Sequence, residues 1–279
     1  MMKLRLKVCF LLALVFFCLN LASAQRVLVW GEDLTQRQKE DLRQILLSKG
    51  ADLEGAEEIS VTNAEEREAL AGKVDLKAVG TRAISSVYIK VGVGRGVKVE
   101  THNITLITPQ MYRSALVTGG VKQAEVIALA PTPVSGTAAL TGIFKAYELI
   151  TGQELSQEAK DAATEELVQA GELGKDLGQE KASELMQRIK AQVLKERPQT
   201  LAEVEEIVRE AAEKMKVSLN QGQLEKLSRL FYRIGKLPLS LRDMEQLLST
   251  GFWQKLGSFF AQAGKVLLGL WQRLVALFA

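Results

Sequence analysis

Two cysteines and a single histidine are all the thiol and imidazole that this 279-residue chain carries. Both cysteines, Cys9 and Cys18, lie in an N-terminal leader, so the mature chain reads as free of disulfides and Cys-ligated metal. A zinc site needs several His, Cys or carboxylate ligands at set spacing, and His102 has neither a Cys nor a second His to join it. No metal and no cofactor are expected. Catalytic signatures are as sparse. Gly92, Gly94 and Gly96 invite a phosphate-loop reading, but no Walker Lys-Ser/Thr pair follows and the segment lies between strand-like runs, so it reads as a hairpin turn. No nucleophile elbow and no repeat at a fixed period is present.

What is there begins with the leader. Lys3, Arg5 and Lys7 form a basic start, Val8 to Leu19 is an unbroken apolar run, and Ala22-Ser23-Ala24 offers the small-x-small pattern of a signal-peptidase site, with cleavage expected before Gln25. The run is shorter than the roughly 20 apolar residues that span a bilayer. Bulky Phe17 before Cys18 argues against a lipidated cysteine. The expected location is extracellular or at the cell envelope. Losing the three leader cations takes the formal charge from +3 to zero, which leaves no global electrostatic case for nucleic acid. The remaining charge is uneven. Residues 151–216 hold 10 basic and 15 acidic side chains, whereas 217–279 hold 8 and 3. Two mutually attracting helical faces account for this, as would a basic end directed at an anionic membrane or wall polymer.

The pattern predicts an α+β fold: an N-terminal mixed sheet with helices on one face, then an all-helical region. Strands are expected at Arg26–Trp30, Glu58–Thr62 and Ala124–Ala130, the last broken by Pro131-Thr132-Pro133, with a hairpin across Ile84–Thr105. Thr35 with Gln38, and Asn63 with Glu66, are capping-box pairs; Thr108-Pro109 starts a helix and Ser135 caps another running to Ile150. Four further helices are predicted from Ser156, Thr200, Ser218 and Ser240, with Pro198 and Pro238 between segments. The domain plan is a signal peptide at 1–24, an α+β domain at 25–150, a helical region at 151–250 and an amphipathic helix at 251–279.

That last segment is unusual. Its polar residues fall in one arc of about 100° at helical spacing, and its charges are all positive. It holds two of the three tryptophans and four of the nine phenylalanines. Three readings stay open: a core helix, an oligomerisation helix, or a helix in the membrane interface. For the last, the contacting residues are Trp253, Lys255, Phe259, Phe260, Lys265, Trp271 and Arg273.

Two segments are candidate binding elements. Gly80-Thr81-Arg82-Ala83-Ile84-Ser85-Ser86 forms a polar lip in which Arg82 would partner an anion beside Ser85. Ser135-Gly136-Thr137 opens a helix whose free N–H groups suit an anion, with Ser135 and Thr137 at hand. The plain alternatives are a turn and an N-cap. His102 lies in Val99-Glu100-Thr101-His102-Asn103-Ile104, where a strand would put Glu100 and His102 on one face. It reads as structural or exposed, the alternative being a general base.

These segments, with Val134-Ser135-Gly136-Thr137-Ala138-Ala139-Leu140-Thr141-Gly142, resemble the YpuA-like proteins, a secreted or envelope-associated Gram-positive bacterial family classed as a domain of unknown function. The likeness runs over nearly the whole mature chain. It implies export and a shared fold and supplies no catalytic residues. The reading is a secreted, non-enzymatic cell-envelope protein, peripherally membrane-associated through its last helix. The alternative is an extracellular enzyme acting on a wall or surface polymer, with Arg82, His102 and Ser135 in one site.

Overall fold

The computed structural model describes residues 25–73, 80–92, 94 and 96–242. The leader and residues 251–279, with all seven membrane-interface candidates, lie outside them.

The fold is α+β. Five strands form one mixed sheet in the order β2-β1-β3-β5-β4, comprising β1 (Arg26–Gly31), β2 (Glu57–Val61), β3 (Ser86–Val91), β4 (Val97–Ile104) and β5 (Ala124–Val134). The outer pairs, β1 with β2 and β4 with β5, are parallel, and β3 is antiparallel to both of its neighbours. Four strands therefore point one way, and the helix after each starts at the same end of the sheet. These are α1 (Gln36–Ser48), α2 (Asn63–Leu70), α3 (Pro109–Thr118) and α4 (Ala139–Thr151). The later chain adds α5 (Gln157–Leu177), α6 (Gln179–Glu196), α7 (Leu201–Lys214) and α8 (Gln221–Lys236).

Strand alternation decides what each face packs against. Val27, Val29, Val87, Ile89, Val126 and Ala128 point into a large core shared with α3, α4 and the later helices, and this core runs without a break past residue 150. Leu28, Trp30, Tyr88, Ile127 and Leu129 point the other way and bury against Leu42 and Leu46 of α1. The expectation of helices on one face is thus corrected. β1 is apolar at every position from Val27 to Trp30, the pattern of a strand covered on both sides.

The expected 84–105 hairpin is also corrected. β3 and β4 are antiparallel, yet β5 lies between them and pairs with both. The glycine turn instead wraps the start of β5: Gly92 N–H donates to the Gln123 carbonyl at 3.0 Å, and Ala124 N–H to that of Gly96 at 3.1 Å. β5 itself continues through Pro131 and Pro133. Its pairing with β3 ends at Leu129, and a bulge between His102 and Ile104 interrupts the β4 side. A missing N–H costs little there.

Thr35–Gln38 forms the predicted capping box. The second box is displaced by one residue, to Thr62–Glu65. Ser156 and Thr200 cap α5 and α7 as expected, but α8 is capped by Asn220 with Gln223, not from Ser218. The long segment from Ser156 is two helices, because Gly178 at φ 86° turns the chain between α5 and α6. That backbone is strained for any residue with a Cβ.

One polar cluster is sealed in the core. Lys190 of α6 is 0% exposed and Glu166 of α5 1%. Lys190 Nζ lies 2.7 Å from Glu166 Oε1 and donates to Ser114 O, Ser114 Oγ and Thr118 Oγ1 at 2.9, 2.9 and 2.6 Å. The Ser114 and Thr118 hydroxyls of α3 donate in turn to Glu166, each at 2.5 Å. Every charge is thereby matched, and three helices are tied at one point.

Candidate functional site

At the end of the sheet where four helices start, a cavity of about 380 Å³ opens between the loops. Arg82 and Ser85 line it from the segment entering β3, and Ser135 and Thr137 from the β5–α4 turn. Two polar segments far apart in sequence therefore meet here.

The β5–α4 turn is shaped by Gly136. Its φ of 94° suits glycine, and a Cβ there would lie 2.4 Å from Ile104 Cγ2 and 2.7 Å from the Tyr112 hydroxyl. Tyr112, wholly buried, donates its hydroxyl to the Gly136 carbonyl. Burial pushes that phenol far above its ordinary range, so it acts as a neutral donor. With the turn pinned, the Ser135 and Thr137 hydroxyls stand 3.3 Å apart. The expectation that Ser135 caps the helix is corrected: the N-cap is Ala138, with no side-chain cap. Among the described residues, no protein acceptor faces the N–H groups of Gly136, Thr137 and Ala138.

Asp33, in the β1–α1 loop, holds the opposite wall. Its carboxylate accepts the Ala83 N–H at 2.7 Å, and its carbonyl accepts from Arg82 Nη2 at 2.9 Å. A guanidinium carries five N–H donors, so this contact orients Arg82 while leaving most of its fork available to a ligand.

Glu66 is the residue that sequence reasoning misplaced. Assigned to a capping box, it instead turns inward, 3% exposed, and lines the cavity. Glu65 is the box partner of Thr62 and is bound to Lys145 of α4. Burial is the main cause that pushes the Glu66 carboxyl up to about 7, helped by the charges of Asp33 and Glu65 and opposed by a hydrogen bond from Asn63. A Thr directly before Asn63 was the available signal, since it moves the box one residue back and releases Glu66.

His102 is not part of this cavity. It lies on β4 and pairs with Leu129 of β5, and Leu129 belongs to the sheet face under α1. Glu100 shares that face as predicted and is bound by Lys49 at 3.0 Å. The constellation of Arg82, His102 and Ser135 is therefore corrected to Arg82, Ser85, Ser135 and Thr137 with Glu66. Among the described residues, no group of His, Cys, Asp and Glu could hold a metal ion.

Residues 30–250 match a family model described as protein of unknown function, DUF1002. The chain belongs to this family. The DUF1002 match spans both walls of the cavity. The chain is also 40% identical over 210 residues to the uncharacterized protein YpuA of Bacillus subtilis (strain 168), covering 75% of this chain and 71% of that one. No solved structure gives a significant match. Among the described residues, no helix of this DUF1002 protein is long and apolar enough to cross a membrane.

Proposed function

We propose that this protein is a non-enzymatic ligand-binding protein of the cell envelope, exported through a leader cleaved near Ala24-Gln25 and held at the membrane by residues 251–279. The observation that carries the binding reading is the convergence of Arg82, Ser85, Ser135 and Thr137 on one cavity without His102. These groups grip a ligand through a fixed cation, hydroxyls and open N–H groups, and no imidazole stands by as a base. A cavity of about 380 Å³ lies at the small end of ligand sites, which run from about 300 to 1,000 Å³. It suits a small polar molecule or one unit of a wall polymer. The leader pattern supports export, and the basic aromatic arc of residues 251–279 supports membrane attachment.

Titration of soluble wall fragments into the isotope-labelled mature protein tests this reading. Saturable amide shifts at Gly136–Ala138, abolished by Arg82→Ala and without consumption of the fragment, are expected. A shift pattern elsewhere on the molecule would overturn it.

One observation favours a second reading, an extracellular enzyme acting on a wall or surface polymer. A buried carboxyl with a pKa of about 7 in a cavity is suited to general-acid work. Fragment turnover that disappears in Glu66→Gln would establish this reading in place of the first.

A further inference from the structure

We infer that the cavity takes an oxyanion group and that Glu66 must carry a proton for it to do so; this rests on the cavity being the ligand site. The donors that face it are of one kind. Arg82 supplies a permanent cation, Ser135 and Thr137 supply adjacent hydroxyls, and the uncapped start of α4 supplies N–H groups and the positive end of a 13-residue helix. Arg and a helix start recognise carboxylate, phosphate and sulfate alike, through the oxygens that these groups share.

Glu66 is at odds with that set while it is ionised. A carboxylate has only acceptors, and it would face the incoming anion as a like charge from an almost wholly buried side chain. Once protonated, it loses the charge and gains an O–H donor. The groups around it keep it poised for this change. Asp33 of the β1–α1 loop and Glu65 of its own helix both disfavour the ionised form, and Asn63 offers it a hydrogen bond. Arg82 shares the cavity as its one lining cation among the described residues. Lys145 of α4 is committed to Glu65, and Lys73 to Asp161 of α5, so neither neutralises Glu66. The carboxyl, raised to about 7 by burial first of all, changes state in the neutral range. Binding an anion raises it further and draws a proton from solvent.

The test uses the mature protein and sodium sulfate, whose charge is constant from pH 5.5 to 8.5, by calorimetry at fixed ionic strength; acetate serves as the planar monoanion. Wild type is expected to bind sulfate at pH 5.5 and to lose at least tenfold in affinity by pH 8.5. It should also take up about three-quarters of a proton near pH 7.5, read from heats in two buffers of different ionisation enthalpy. Glu66→Gln is expected to bind equally at both pH values, and Arg82→Ala to bind at least tenfold more weakly at each. The proton measurement needs no variant, so a Glu66→Gln that fails to fold does not remove the test. Binding by wild type that is pH-independent and moves no proton overturns the coupling and leaves the anion site standing. Absence of saturable binding of sulfate and acetate at every pH overturns the anion site as well.

Discussion

Replacing Lys190 by Met tests whether the sealed cluster holds α3, α5 and α6 together by matched charge. The substitution preserves much of the side-chain volume and removes an ammonium that touches four oxygens within 2.9 Å. Glu166 is then left with the Ser114 and Thr118 hydroxyls but no counter-charge, at 1% exposure. Breaking a buried pair from one side costs about 3–5 kcal/mol. The two retained hydroxyl donors put Lys190→Met near the lower end, about 3 kcal/mol. Glu166→Leu strands the ammonium, whose proton affinity burial already lowers, and belongs in the same range. The double variant has no stranded charge and is expected within about 1 kcal/mol of wild type, since apolar replacements of buried pairs are often neutral or stabilising. Urea unfolding reads each change as a midpoint shift at constant slope. In heat, each single variant should melt roughly 6–20 °C lower, at about 2–4 °C per kcal/mol for a chain of this size. Single variants that each lose under about 1 kcal/mol, or a double variant that loses the sum of the two, would refute the argument.

Glu66 also makes stability depend on pH. The folded protein holds this proton more tightly than the unfolded chain, so the stabilisation is full below about 4.5 and is lost as pH rises through about 7. At about 1.36 kcal/mol per tenfold change in proton affinity, the total is about 3 kcal/mol. Urea midpoints measured from pH 4.5 to 8.5 should fall accordingly in wild type, and this contribution should vanish in Glu66→Gln. Tyr112→Phe leaves the buried Gly136 carbonyl with the Ala139 N–H alone and should cost about 0.5–1.5 kcal/mol; unchanged thermal stability would count against the pinned turn. Gly178→Ala meets no atom within 4 Å, yet φ 86° is strained for alanine, so a loss of about 1–3 kcal/mol is expected from backbone strain alone. Liposome co-sedimentation should retain the mature protein on anionic vesicles and lose it when residues 251–279 are removed. Equal sedimentation of both forms would end the membrane reading.

Local chemistry made much of this fold legible. Thr35 with Gln38, Ser156 and Thr200 mark helix starts because their side chains bond backbone N–H groups a few residues on, a relation contained within one turn. Leu140, Ile143, Phe144 and Tyr147 are buried as their spacing requires. Strand order is another matter. Nothing between Ile84 and Thr105 states that a strand arriving after α3 will enter between β3 and β4, since pairing partners are chosen by tertiary packing. The site divides in the same way. Arg82, Ser135 and Thr137 were recognisable as anion partners from their own segments, but their meeting depends on the sheet. Glu66 was hidden by Asn63, a plausible cap that the preceding Thr62 outcompetes. His102 was drawn into the site only by its rarity.

The position of β5 between β3 and β4 sets the order in which this chain folds. Two antiparallel strands joined by a short glycine turn would ordinarily zip within microseconds. Here that closure is non-native, because the space between them belongs to a strand on the far side of α3. Until β5 has joined, β3 and β4 each present an open edge, and edges of that kind pair readily with other chains. Much of the sheet therefore rests on contacts distant in sequence, which makes for slow folding. A chain read as crossing the membrane N-terminus first would emerge with both edges exposed and the strand that closes them still to come. Conditions that delay β5, such as substitutions weakening α3, should raise aggregation during refolding more than they lower the stability of the finished protein.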